Sequence, residues 1–333
     1  MKIYVIAGLT LVLTTAAAAQ TAISAKSGLI NHLQGKALLD GAAVEIRPTK
    51  FVTVGQGSEL RTEEGLVEVL LGPGAVLRMG ENSAFKMVSS DVADTRVQLV
   101  SGSMIVERAE ASKENSLTLL YKDSSIELPK NGVYRVDSSP ARLMVYDGEA
   151  RVHRDGQTQS VKKSRRLALD GVAVAEKFDA KNSDDAVLRW ARRRAEYLAV
   201  ANVSAARSMG RMGYSAGSYS GWVFNPYFGA FTYIPMSGVY DSFWGPRYWS
   251  MGALYDNYYY YGNWNRHGGG GSGTGTPTGY ERVSPTVTNR SGVAARVSNP
   301  PASSGVGAGA GSGAGRSVSL PREPVRSGPQ SRR

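Results

Sequence analysis

The sequence contains no cysteine and only three histidines, His32, His153 and His267, spread far apart along 333 residues. Disulfide staples, thiol chemistry and cysteine-ligated zinc are therefore excluded, and stability has to come from a core of adequate size. There is no His-x-x-x-His pair and no regularly spaced acidic ligand loop, so no metal site is expected. The serines of "GSEL", "SGSM" and "SAGS" lack the Gly-x-Ser-x-Gly elbow of a hydrolase. "GPGAVLRMG" lacks the lysine and the helical context of a phosphate loop. Glu59, Glu63, Glu64 and Glu68 can be paired on paper for glycoside chemistry, but neighbouring surface glutamates are far commoner than a dyad at the required separation. The chain reads as a non-enzyme with no catalytic residue, no cofactor and no metal. The cluster "KKSRR" at 162–166 reads as a solvated edge or turn.

Long apolar runs are equally scarce. The one candidate is at the start, "MKIYVIAGLTLVLTTAAAAQ", where Lys2 precedes an apolar stretch from Ile3 to Leu13 and the small residues Ala16 to Ala19. That order is expected of a secretory signal peptide over 1–19, cleaved near Ala19. Its apolar core is too short for a comfortable transmembrane helix, and no transmembrane span is expected after it. The expected location is a periplasm or the outside of the cell. Lysine is missing from residue 211 onward, where eleven arginines face four acids and supply seven of the chain's net +11 charges. Such a tail suits contact with an anionic surface, while export argues against nucleic acid.

Residues 28–175 are rich in short β-branched apolar runs separated by turn signals. "KALLDGAAVEI" turns at Asp40-Gly41, "GLVEVLLGPGAVLRMG" at Gly72-Pro73-Gly74, and "RDGQ" at Asp155-Gly156. "RVQLVSGSMIVE" and "ARLMVYDGEARVH" each bend around a glycine, Gly102 and Gly148. Helical periodicity is poor throughout, so the fold class expected is mainly β.

The order of these turn and core residues resembles the FecR domain of bacterial envelope proteins. The matching positions are Gly57, Ser58, Leu60 and Thr62; Gly74, Leu77 and Arg78; Asn82 and Ser83; Gly102 with Val106; and Gly148 with Val152. The resemblance spans about residues 28–170 and implies a β domain of short glycine-punctuated strands. The best-known members of that family are membrane-spanning regulators that relay receptor signals to an extracytoplasmic sigma factor. This sequence has no recognisable anti-sigma region and no later span, so the regulatory role does not follow from the resemblance.

Residues 182–207 change period. Leu188, Ala191, Ala195 and Leu198 recur at helical spacing, with Arg189, Arg192 and Arg193 mostly elsewhere, and Trp190 and Tyr197 widen the apolar face. Ser183 is the expected cap, with Asp184 and Asp185 at the positive end. The expected role is a packing helix that docks on the β domain or on its own kind; the alternative, a membrane-surface helix, is disfavoured by an apolar face of small alanines.

Aromatic residues then recur every two or three positions over 214–264. Three arrangements are open for this module: an aromatic strap around the β domain, a surface that binds an envelope protein or glycan, or a sticky unordered region. For the binding arrangement the candidate residues are Trp222, Phe224, Tyr227, Phe228, Tyr233, Trp244 and Trp249. Segments of this kind also trail the β domain in some exported FecR-like proteins. Residues 267–333 are mainly Gly, Ser, Thr, Pro, Val and Arg, the composition of a disordered tail. The expected function is a non-catalytic envelope binding or structural protein. The alternative is a periplasmic signalling component acting through a separate membrane partner.

Overall fold

The computed structural model describes residues 27–47, 50–171, 174–255, 287–288 and 294–295. The expected signal peptide lies outside these residues. So does the tail, apart from the two-residue strands Val287–Thr288 and Ala294–Ala295, which pair with each other.

Fifteen strands make one sheet. In chain order they are β1 (Leu29–Leu39), β2 (Ala42–Ala43), β3 (Glu59–Leu70), β4 (Ala75–Met79), β5 (Ala84–Ser90), β6 (Asp94–Ser101), β7 (Ser103–Arg108) and β8 (Ser116–Tyr121). They continue with β9 (Ser124–Glu127), β10 (Gly132–Ser138), β11 (Ala141–Asp147), β12 (Glu149–Arg154), β13 (Gln157–Lys162), β14 (Arg165–Ala168) and β15 (Ala175–Lys177). The spatial path is β13-β12-β9-β8-β6-β5-β3-β4-β7-β10-β11-β14-β15, with β1 on β3 and β2 on β1. All pairings are antiparallel except β6 with β8. β13 and β14 lie toward opposite ends of this path, yet only Lys163 and Ser164 separate them in sequence. The sheet therefore curls until its ends nearly meet, as a barrel does. Inside it lie Leu60, Val67, Val69, Leu77, Phe85, Leu119, Val136, Leu143 and their neighbours.

Local sequence explains the turns. Asp40-Gly41 and Asp155-Gly156 both take positive φ at the two central positions, 50° and 82° in the first and 52° and 71° in the second, as two-residue hairpin turns require. At Gly74, φ is +62° and an added Cβ would lie 2.9 Å from the ring of Tyr233, so a side chain there would meet both strain and a clash.

The helix α1 runs over Ala186–Arg211, beginning and ending four residues later than the periodicity predicts. Asp185 is the cap in place of Ser183: its carboxylate accepts from the Leu188 backbone N–H at 2.8 Å, while the Ser183 hydroxyl donates back to the Asp179 carbonyl. The aromatic segment folds into two hairpins, β16 (Gly221–Asn225) with β17 (Ala230–Ile234), and β18 (Val239–Asp241) with β19 (Arg247–Trp249). A helical turn over 251–255 follows.

Together α1 and the hairpins cover the outer face of β3, β4, β7, β10 and β11. Leu70 and Val76 meet Leu198, Trp222, Phe231 and Tyr233. Ile105, Val133, Met144 and Tyr146 meet Leu188, Ala191, Ala195 and Trp244. This accounts for the run Val67, Val69, Leu70, Leu71. A strand buried on both faces loses the polar alternation of a half-buried one.

Candidate functional site

The outer face carries charge where a sheet-on-helix contact is ordinarily apolar. Glu68 on β3 and Arg78 on β4 are direct cross-strand partners, and Glu107 on β7 lies diagonally beyond. Arg78 Nε lies 2.9 Å from Glu68 Oε2, and its Nη1 lies 2.8 Å from Glu107 Oε2. From α1, Arg194 Nη2 reaches Glu68 Oε1 at 2.8 Å. Glu68 and Arg78 have no exposure at all, so Glu68 is not the surface carboxylate that its sequence neighbourhood suggests. Burial pushes the Glu68 carboxyl up, but Arg194 and Arg78 outweigh it and hold the pKa at about 2. Burial likewise opposes the charge of Arg78, and Glu68 and Glu107 hold it above its ordinary value.

The hairpins close this network. Glu107 accepts from the Ser242 hydroxyl and, at 3.2 Å, from Trp244 Nε1. Glu110 accepts from the Tyr233 hydroxyl and, at 2.7 Å, from the Ser220 hydroxyl. Trp222 Nε1 donates to the Gly72 carbonyl at 2.5 Å. Two asparagines act as substitute peptide groups. Asn31 accepts from the Phe231 N–H at 2.8 Å and donates to its carbonyl at 3.1 Å, with a further bond to Glu68. Asn202 accepts from the Trp249 N–H at 2.8 Å and donates to the carbonyls of Trp249 and Tyr233. At the start of α1, Arg135 bridges Asp137 and the capping Asp185. These charges are paired with one another and shielded from water, which suits them to holding elements together rather than to acting on a substrate.

The seven aromatic candidates divide accordingly. Trp222, Tyr233 and Trp244 are 5%, 2% and 9% exposed, packed between sheet and helix. Trp249 is half-buried against Met209, Val223 and Ile234. Phe224, Tyr227 and Phe228 lie at or beside the β16–β17 turn, and Tyr227 is 89% exposed. Phe224 contacts Phe51 edge-on at 5.2 Å between centroids, and Phe51 in turn contacts Phe231 at 4.9 Å. Phe228 contacts Tyr197 of α1 at 5.4 Å, and the Tyr197 hydroxyl donates to the Phe228 carbonyl. Phe51 and Tyr197 are themselves 40% and 38% exposed. The tip of the first hairpin thus gathers five partly or largely exposed rings from three segments distant in sequence. Phe51 was missed by sequence reasoning, since one phenylalanine in a polar connection carries no periodic signal.

Among the described residues, no group of three or more His, Asp or Glu side chains is placed to hold a metal ion. No helix among them is long and apolar enough to cross a membrane, which leaves β-barrel spans unaddressed. No protein-family model matches the chain, and no curated protein matches it. It is similar to two crystal structures of a proposed anti-sigma factor from Parabacteroides distasonis ATCC 8503, each at 11% identity. The TM-scores are 0.33 and 0.34, covering 37% and 40% of this chain. The matches reach 61% and 64% of those chains, less than two thirds of their length. This is a weak and partial likeness of fold.

Proposed function

We propose that the chain is an exported, FecR-like, non-catalytic protein that binds a partner in the bacterial envelope through the tip of its first aromatic hairpin. The observation that carries this reading is the position of Tyr227, 89% exposed at a turn whose flanks are fixed. Asn225 donates to the Ala201 carbonyl on α1 at 3.0 Å, and its side chain also accepts from the Tyr227 N–H. Thr232, just beyond the turn, donates to the Leu198 carbonyl. Exposed aromatic rings on a rigid support are what interface anchors consist of, because little side-chain entropy is lost when a partner covers them. Tyr227→Ala is expected to lower retention of the protein on isolated envelopes without changing its melting temperature, and Phe228→Ala to lower retention while the protein stays folded. Undiminished retention by both folded variants would remove the hairpin tip from the reading.

The same surface serves a signalling component that works through a separate membrane partner. Capture through the wild-type tip, but not through Tyr227→Ala, of an integral membrane protein supports that second reading. Capture of a glycan or a soluble envelope protein supports the first.

A further inference from the structure

Four arginines are buried among the described residues, and three of them, Arg78, Arg135 and Arg194, sit against carboxylates. The fourth, Arg108 at the end of β7, is 3% exposed and makes no ion pair with any described residue. Its guanidinium donates to neutral acceptors, the carbonyls of Leu128 and Asn115 and the Asn115 side-chain oxygen. Burial pushes its pKa down, with Tyr134 as the one opposing influence. A cation taken out of water without an opposite charge is costly, and buried charges are ordinarily paired.

Arg108 lines an open cleft of about 740 Å³ on the outer face of β6, β8 and β9, bordered by the 109–115 connection. The acids at its edge have cations of their own: Asp94 lies 2.6 Å from Arg96, and Glu127 lies 4.0 Å from Arg151. Lys113, on the bordering connection, is exposed and makes no ion pair among the described residues. The cleft therefore has two cations without counter-charges and a hydroxyl donor from Thr118. Its accessible apolar walls are aliphatic, from Leu120 and Pro129, with no aromatic ring on which a sugar could stack.

We infer that this cleft binds an acidic peptide segment, with a carboxylate seated between Lys113 and Arg108 and aliphatic side chains against Leu120 and Pro129. The test is fluorescence anisotropy on the full chain with labelled tetraglutamate and tetraglutamine. The tetraglutamate peptide is expected to bind about tenfold more tightly, with the preference fading at about 0.5 M salt. Lys113→Glu, an exposed change, is expected to abolish the preference with the melting temperature unchanged, and Tyr227→Ala to leave it intact. Arg108→Gln is expected to weaken tetraglutamate binding as well. Equal binding of the two peptides, an undiminished preference in Lys113→Glu, or loss of the preference in Tyr227→Ala would overturn the inference. Tighter binding of an acidic oligogalacturonate than of tetraglutamate would overturn it in favour of a glycan.

Discussion

Glu68 on β3 and Arg194 on α1 are 126 residues apart in sequence and meet at 2.8 Å. Replacing Arg194 with Met leaves the Glu68 carboxylate buried with one of its two cations removed. The expected loss is about 3 kcal/mol, measured by chemical denaturation. The same pair sets an acid limit. Its folded carboxyl titrates at about 2 against an ordinary 4.5, so the unfolded chain binds the extra proton between those values. The stabilisation is complete above about pH 4.5 and is lost as pH falls toward 2. A second, milder window lies higher. His32 stacks near Trp190, and its pKa is lowered from 6.5 by burial and then by Arg194. Stability is thus expected to fall as pH drops below 6.5, and His32→Gln should flatten that part of the profile. None of this is legible in sequence. Glu68 sits among solvated glutamates, and Arg194 follows two exposed arginines on the same helix.

At the scale of elements, legibility follows how local the signal is. The Asp-Gly hairpins are readable because φ > 0 at two consecutive residues needs those residue types. The helix is readable from its alanine-rich face, of which Ala191, Ala195, Ala199 and Ala206 are buried. Its start is not, because Asp185 and Ser183 both suit a cap and the contact to Arg135 on β10 favours the aspartate. Docking of the second hairpin is least readable, since it depends on Asn202 supplying bonds that a neighbouring strand would ordinarily supply. Asn202→Ala leaves the Trp249 N–H and the Trp249 and Tyr233 carbonyls without that partner. It is expected to cost about 2 kcal/mol and to speed hydrogen exchange at Trp249 before the sheet is affected.

At the scale of the whole molecule, the aromatic segment divides into rings that complete the fold and rings available to a partner. Sequence alone leaves the strap and the binding surface open as alternatives, because burial depends on which rings the outer face of the sheet accepts. That face accepts Trp222, Tyr233 and Trp244 and leaves Tyr227 in solvent. Trp222→Ala opens a cavity over Leu70 and Val76 and is expected to cost about 3 to 5 kcal/mol, read as a lower melting temperature. Tyr227→Ala removes a ring that the fold does not use. The most direct test measures both variants side by side, by melting temperature and by retention on isolated envelopes. The account predicts that Trp222→Ala lowers the melting temperature, whereas Tyr227→Ala keeps the wild-type melting temperature and loses retention. Retention unchanged in Tyr227→Ala, or a wild-type melting temperature in Trp222→Ala, would contradict it.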